Sequence, residues 1–161
     1  MNAINQFNAD IELQHIYLEV YSERYSHLRT FLEAYYCYQH GLVTQQGKPD
    51  WIQIFNVGKR TVTAAHIQER KLLVREMMMP LSVIIGHFKT LVRDDEATIE
   101  SIKAIIDDHL EYVIMTRDEH HALIKAGVKE TMPASYYQPL HNDYRRVNTR
   151  FDAAGITLLM S

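Results

Sequence analysis

Two adjacent histidines follow an aspartate and a glutamate in the stretch TRDEHHALIKAG, residues 116–127. Imidazole and carboxylate groups are the side chains that bind metals and transfer protons, so this stretch is the first candidate for chemistry. Thr116 and Glu119 also have the spacing of a capping box, in which each side chain binds a backbone N–H of the other residue. The stretch is therefore predicted to begin a helix, with His120 packed inward and His121 in solvent.

A helical metal site needs ligands three or four residues apart, since only those share a face. Glu12 and His15 have the Glu-x-x-His form that helical di-iron proteins use, and Asp118 with His121 is a looser second copy. The glutamates needed from two further helices lie among other charges, and no His-x-x-x-His occurs in the chain. A di-iron-like metal-binding bundle is the alternative hypothesis, while the main prediction is that the protein uses no cofactor.

Arg60 and His66 form a third pairing, in the segment RTVTAAH. This segment resembles the Arg-x4-6-His signature of HEPN ribonucleases, small helical domains that dimerise around an RNA cleft. The resemblance implies that Arg60 would stabilise developing charge on the phosphate and that His66 would transfer the proton in attack by a 2′-hydroxyl. It covers seven residues, and Thr61 stands where a polar residue often follows the arginine.

The composition of the chain narrows these options. Its 161 residues, 47% of them hydrophobic, suffice for one domain with a core that needs no disulfide or metal. The formal charge of −3 and the pI near 6.3 provide no strong basic field for nucleic acid or anionic lipid. Cys37 is the only cysteine, which fits a reducing, cytoplasmic setting. No apolar run approaches the roughly 20 residues of a membrane span.

Hydrophobic periodicity predicts a mainly all-α chain, a bundle of five or six helices. Residues 1–9 are predicted to be a frayed N-terminus and residues 10–161 a single helical domain. Its longest element is a helix from Asp10 to His40. Further helices are predicted over residues 64–78, 80–92, 96–115, 116–126 and 140–154. Residues 51–63 fit either another helix or a small β-hairpin.

The first predicted helix is rich in tyrosine. Tyrosine is common in protein interfaces, because its ring packs while its hydroxyl keeps a polar partner. The predicted interface residues are Tyr17, Tyr21, Tyr25, Tyr35 and Tyr36. These observations favour a non-enzymatic protein–protein interaction or adaptor module that binds protein partners, including its own copy as a homodimer.

A basic patch and an apolar segment lie near the C-terminus. The segment YRRVNTR supplies a small basic patch made of Arg145, Arg146 and Arg150. The apolar segment GITLLM is expected to dock on the rest of the fold, since an exposed patch of this kind favours aggregation.

Overall fold

The computed structural model describes residues 1–160, which divide into two compact units. The first unit contains Met1–Val57 and Ile84–Leu110, and the second contains Gly58–Val83 and the chain from Glu111 onward. The described α-helices are α1 (Ala3–Tyr21), α2 (Leu28–Gln39), α3 (Ile54–Val57), α4 (Leu81–Arg93), α5 (Ile99–His109), α6 (Arg117–Lys125) and α7 (Thr149–Ala153). The described strands are β1 (Lys59–Arg60), β2 (Leu73–Met77) and β3 (Tyr112–Thr116). None of the described helices is long and apolar enough to cross a membrane.

The first helix begins earlier than the sequence predicts. The side-chain oxygen of Asn2 accepts a hydrogen bond from the backbone N–H of Asn5 at 2.8 Å, which caps α1 at its first turn. Asn5 and Ala9 are both buried. Residues 1–9, predicted to be frayed, therefore carry the cap and the first turns of α1.

The long helix predicted from Asp10 to His40 is two helices. Between α1 and α2, Glu23 has a φ of 55°, the left-handed conformation that commonly ends a helix. The two helices pack against each other and bury Val20, Leu28 and Leu32. A single straight helix could not bring these apolar faces together, so the gain from burying them favours the break.

The helix α5 also belongs to the first unit. Thr98 and Ser101 form a capping box at its start, and Ile102 and Ile106 are fully buried, as the amphipathic pattern predicts. α5 packs against α1. The helix ends at His109, however, and does not continue to Met115 as predicted.

A three-stranded sheet organises the second unit, so the prediction of an all-α fold is wrong. The central strand β3 pairs in parallel with β1 and antiparallel with β2, with Ile114 opposite both Arg60 and Arg75. All residues from Tyr112 to Met115 are buried. A strand covered on both faces shows no polar alternation, which is why its apolar run resembles the end of the preceding helix.

Residues 51–63 form neither the single helix nor the small β-hairpin that the sequence allows. A short 3-10 turn over Trp51–Gln53 leads into α3, which ends at Val57. β1 then pairs with β3, a distant segment, and not with a sequence neighbour. The helix predicted over residues 64–78 is also wrong, because this stretch contains β2.

Local signals at other positions are confirmed. The capping box of α6 is present, since Thr116 Oγ1 accepts from the Glu119 N–H at 3.1 Å and Glu119 Oε1 accepts from the Thr116 N–H at 3.0 Å. α4 begins directly after Pro80, as expected for a proline at a helix start. The predicted helix over residues 140–154 shortens to α7. The C-terminal segment docks as expected, through a bridge between Leu158 and Thr61.

Candidate functional site

The predicted metal ligands are distributed over both units. In the first unit, His15 Nδ1 lies 3.3 Å from Glu12 Oε2, on one face of α1. Asp118 and His121 belong to α6 in the second unit, where both are exposed. Within residues 1–160, no three His, Cys, Asp or Glu side chains are grouped as metal ligands.

The two residues of the HEPN-like segment lie on a strand and a turn. Arg60 ends β1, and its Nη1 donates to the carbonyl oxygens of Ala64 at 2.7 Å and Ile67 at 2.8 Å. These bonds close the loop that contains His66, whose side chain is exposed. The guanidinium therefore serves its own loop, and the motif does not have the helical setting of the family that it resembles.

Of the five predicted interface tyrosines, Tyr21 is the most exposed, at 66%. Tyr17 is half-buried and stacks on Tyr21 with ring centroids 5.9 Å apart. Tyr25 is half-buried beneath Lys89, whose Nζ lies 5.5 Å from the ring centroid. Tyr35 and Tyr36 are buried within the first unit. Surface contact with a partner is thus open to Tyr17 and Tyr21 but not to the two buried rings.

Tyr35 has a structural role that its burial explains. Its hydroxyl donates to Asp107 Oδ1 at 2.9 Å and accepts from Gln39 Nε2 at 2.6 Å, and Lys103 Nζ lies 2.6 Å from the other Asp107 oxygen. Burial, with a smaller contribution from Asp107, raises the pKa of Tyr35, so the hydroxyl remains protonated. The network joins α2 to α5 inside the first unit.

The exposed face of α1 carries an apolar stripe, most of whose residues are not tyrosines and were not predicted as interface residues. Ile4, Phe7, Leu18 and Tyr21 are between 58% and 66% exposed, on the face opposite buried Leu13, Ile16 and Val20. With half-buried Ile11 and exposed Gln14 they follow spacings of three, four, three, four and three residues. We call these six residues the outer stripe: Ile4, Phe7, Ile11, Gln14, Leu18 and Tyr21. This is the heptad spacing of a helix that packs against another helix.

A carboxylate and an imidazole flank the outer stripe on its two sides. Asp10 precedes Ile11 and is exposed, accepting a hydrogen bond from Gln6 Nε2 at 2.9 Å. His15 follows Gln14 and is 44% exposed beside Glu12. The contact of Asp10 is exposed and therefore weak. The contact of His15 is partly buried, since the Glu12 side chain is only 17% exposed, and the His15 ring also lies 5.1 Å from the ring of Phe31.

The second unit contains a buried arginine, Arg150, which was predicted to belong to a surface patch. Arg150 is fully buried, whereas the predicted basic patch placed it in solvent beside Arg145 and Arg146. Its guanidinium donates to the carbonyl oxygens of Met77, Val128 at 3.3 Å and Lys129 at 2.8 Å. It therefore ties the end of β2 to the segment after α6.

Glu76 connects this arginine to the first histidine of the opening motif. Its Oε1 lies 3.7 Å from Arg150 Nη2, and its Oε2 lies 3.5 Å from His120 Nε2. Burial lowers the pKa of His120, and the Glu76 carboxylate opposes this in part, so the imidazole is neutral at neutral pH. A histidine beside a carboxylate is the pairing of an oriented general base, but here the carboxylate is also the counter-ion of the buried guanidinium.

Two stacked histidines in the first unit predict that the protein loses stability in acid. The His87 and His109 rings stack with centroids 4.8 Å apart and an interplanar angle of 13°. Burial lowers the pKa of His109, the nearby His87 lowers it further, and Asp108 opposes both. Below about pH 6.5 the unfolded chain then binds a proton more readily than the folded one, so stability falls as the pH drops.

We expect His109→Gln to reduce this loss of stability between about pH 7.5 and pH 5.5. The measurement is the urea midpoint from the fluorescence of Trp51, the only tryptophan, which belongs to the first unit. His27→Gln, at an exposed histidine, is the matched control. An unchanged pH dependence in the His109 variant would contradict the assignment.

Neither known protein families, nor curated protein sequences, nor solved structures gave a match to this chain.

Proposed function

We propose that the protein is a non-enzymatic interaction module that self-associates through the outer stripe of α1. The observation that carries the proposal is the combination of exposure and heptad spacing along one helix face. Scattered exposed apolar residues are ordinary on a protein surface, but five apolar residues at heptad positions of one helix, interrupted only by Gln14, are typical of a face that covers another helix. The proposal includes a cytoplasmic setting, which the single, buried cysteine Cys37 supports.

The size of the stripe predicts a weak association. An aromatic side chain buries about 150–250 Å² when fully covered, so the four most exposed stripe residues offer on the order of 400–600 Å² per copy. Two copies then bury about 800–1,200 Å² in total, at or below the lower end of specific interfaces. We therefore expect an equilibrium between monomer and dimer with a micromolar Kd.

Sedimentation velocity over a range up to tens of micromolar tests the proposal. Wild-type protein is expected to shift from monomer to dimer as its concentration rises, and Leu18→Glu is expected to remain monomeric, because it places two carboxylates in one apolar seam. Leu140→Glu is the matched control, since Leu140 is fully exposed and lies in the second unit. A wild-type protein that stays monomeric throughout this range would overturn the proposal.

A further inference from the structure

We infer that the occupant of the outer stripe is α1 of a second copy, paired in parallel and in register; this inference rests on the proposed function. In heptad notation Ile4, Ile11 and Leu18 take the a positions, and Phe7, Gln14 and Tyr21 take the d positions. β-branched residues at a favour two strands. A stripe of this kind is complementary to itself, so a two-fold axis along the seam joins identical faces.

Gln14 is the first feature that distinguishes the two orientations. In a parallel pair each seam residue faces its own copy, so the two Gln14 amides meet and can hydrogen-bond to each other. In an antiparallel pair with the same seam, Gln14 faces Ile11, and each amide is covered by an apolar side chain without a polar partner. An unpaired buried amide costs about 1–3 kcal/mol, so a single polar seam residue selects the parallel register.

The side chains of Asp10 and His15, which flank the stripe, are the second feature, and they are independent of the first. Asp10 occupies a g position and His15 an e position. In a parallel pair, a g residue faces the e residue five positions further along the other helix, so Asp10 faces the partner's His15, twice by symmetry. In the antiparallel pair Asp10 faces Tyr17 and His15 faces Asn8, so the carboxylate and the imidazole do not meet. Both observations therefore favour the same orientation.

A charge swap tests the pairing of Asp10 with the partner's His15. Asp10→Lys places a lysine against the histidine and is expected to raise the dimer Kd roughly five- to tenfold, whereas Asp10→Lys with His15→Glu is expected to return it to near the wild-type value. Glu96→Lys makes the same change of charge at an exposed position of the first unit outside α1 and is the matched control. A double variant as weak as Asp10→Lys alone overturns the pairing.

Disulfide trapping tests the orientation directly. In the parallel pair, cysteines introduced by Tyr21→Cys have Cα atoms within the roughly 4.4–6.8 Å that a disulfide spans. In the antiparallel pair they are about 25 Å apart, at 1.5 Å per residue. Mild oxidation of Tyr21→Cys is therefore expected to give a covalent dimer, and Gln6→Cys, an exposed position off the seam, is expected to give none.

The two proposals fail in different ways. If Tyr21→Cys weakens association by removing its ring, Ile4→Cys at the other end of the stripe provides the same measurement. Dimers that sediment as wild type but form no disulfide at either end overturn the parallel arrangement and leave self-association through the stripe intact. A wild-type chain that remains monomeric overturns both.

Discussion

Replacing Arg150 with methionine is expected to lower the free energy of unfolding of the second unit by about 3–5 kcal/mol. Methionine keeps an unbranched apolar side chain like the stem of arginine but has no donors. The carbonyl oxygens of Met77, Val128 and Lys129 lose the guanidinium, and Glu76, whose side chain is only 11% exposed, loses its cation. A buried carboxylate without its counter-ion is the costly outcome, more than the lost attraction itself.

The double variant Arg150→Met with Glu76→Gln separates these two contributions. It removes the stranded charge but still leaves the three carbonyl oxygens without the guanidinium, so we expect it to recover part of the lost stability and not all of it. Full recovery would mean that the carbonyl contacts contribute little. No recovery would mean that the Glu76 carboxylate finds another partner or reaches water.

Arg146→Met is the matched control for Arg150→Met. Arg146 lies four residues earlier and pairs with Asp152 at 2.6 Å, but its side chain is 52% exposed. Exposed ion pairs contribute about 1 kcal/mol or less, so this variant is expected to unfold near the wild-type midpoint. Urea unfolding and amide hydrogen exchange of β3, which lies in the same unit, measure both variants. An Arg150→Met protein within about 1 kcal/mol of wild type would contradict the structural role of the arginine.

Predictions based on local chemistry agree with the structure where the signal is contained in one helix. The capping box of Thr116 and Glu119 needs two side chains and the backbone between them, and both bonds are present. The apolar periodicity of α5 and the start of α4 after Pro80 are local in the same sense. Such features form without reference to distant residues, so the sequence alone suffices to predict them.

Predictions failed where a distant segment decides the structure. Residues 112–115 have an apolar pattern that fits a helix and a buried strand equally well, and pairing with β1 and β2 selects the strand. No local signal separates Arg150 from Arg146, because only the fold brings the carbonyl oxygens of Met77 and Lys129 around one of them. Burial of a charged residue is a tertiary property.

The outer stripe was not predicted either, although its heptad spacing is present in the sequence. Its first two residues, Ile4 and Phe7, lie in the segment that was predicted to fray, so the heptad spacing began too late to be recognised. The tyrosines of the same region include buried and exposed rings, so their number alone does not mark the exposed face. Exposure separates the two groups: Tyr35 and Tyr36 hold the first unit together, while the stripe faces solvent.

A second large loss of stability is expected for Glu119→Ala, on the order of 2–3 kcal/mol. Glu119 Oε1 accepts from Thr61 Oγ1 at 2.7 Å, from the Thr116 N–H at 3.0 Å and from Thr116 Oγ1 at 3.3 Å. Thr61 is fully buried, so its hydroxyl would be left without an acceptor, and water could not reach it to replace the lost carboxylate. One carboxylate thus joins the start of α6 to the residue that follows β1.

Asp118→Ala is the control for this prediction. Asp118 is the neighbouring acid in the same first turn, but it is exposed, so its removal costs only its interaction with the helix dipole, about 0.3–1 kcal/mol. A double-mutant cycle with Thr61→Val then isolates the contact between the two side chains, because the valine no longer needs an acceptor. Measured from urea midpoints, the loss on Glu119→Ala should be smaller in the Thr61→Val background than in wild type. Equal losses in the two backgrounds would show that Glu119 stabilises the protein only as a helix cap.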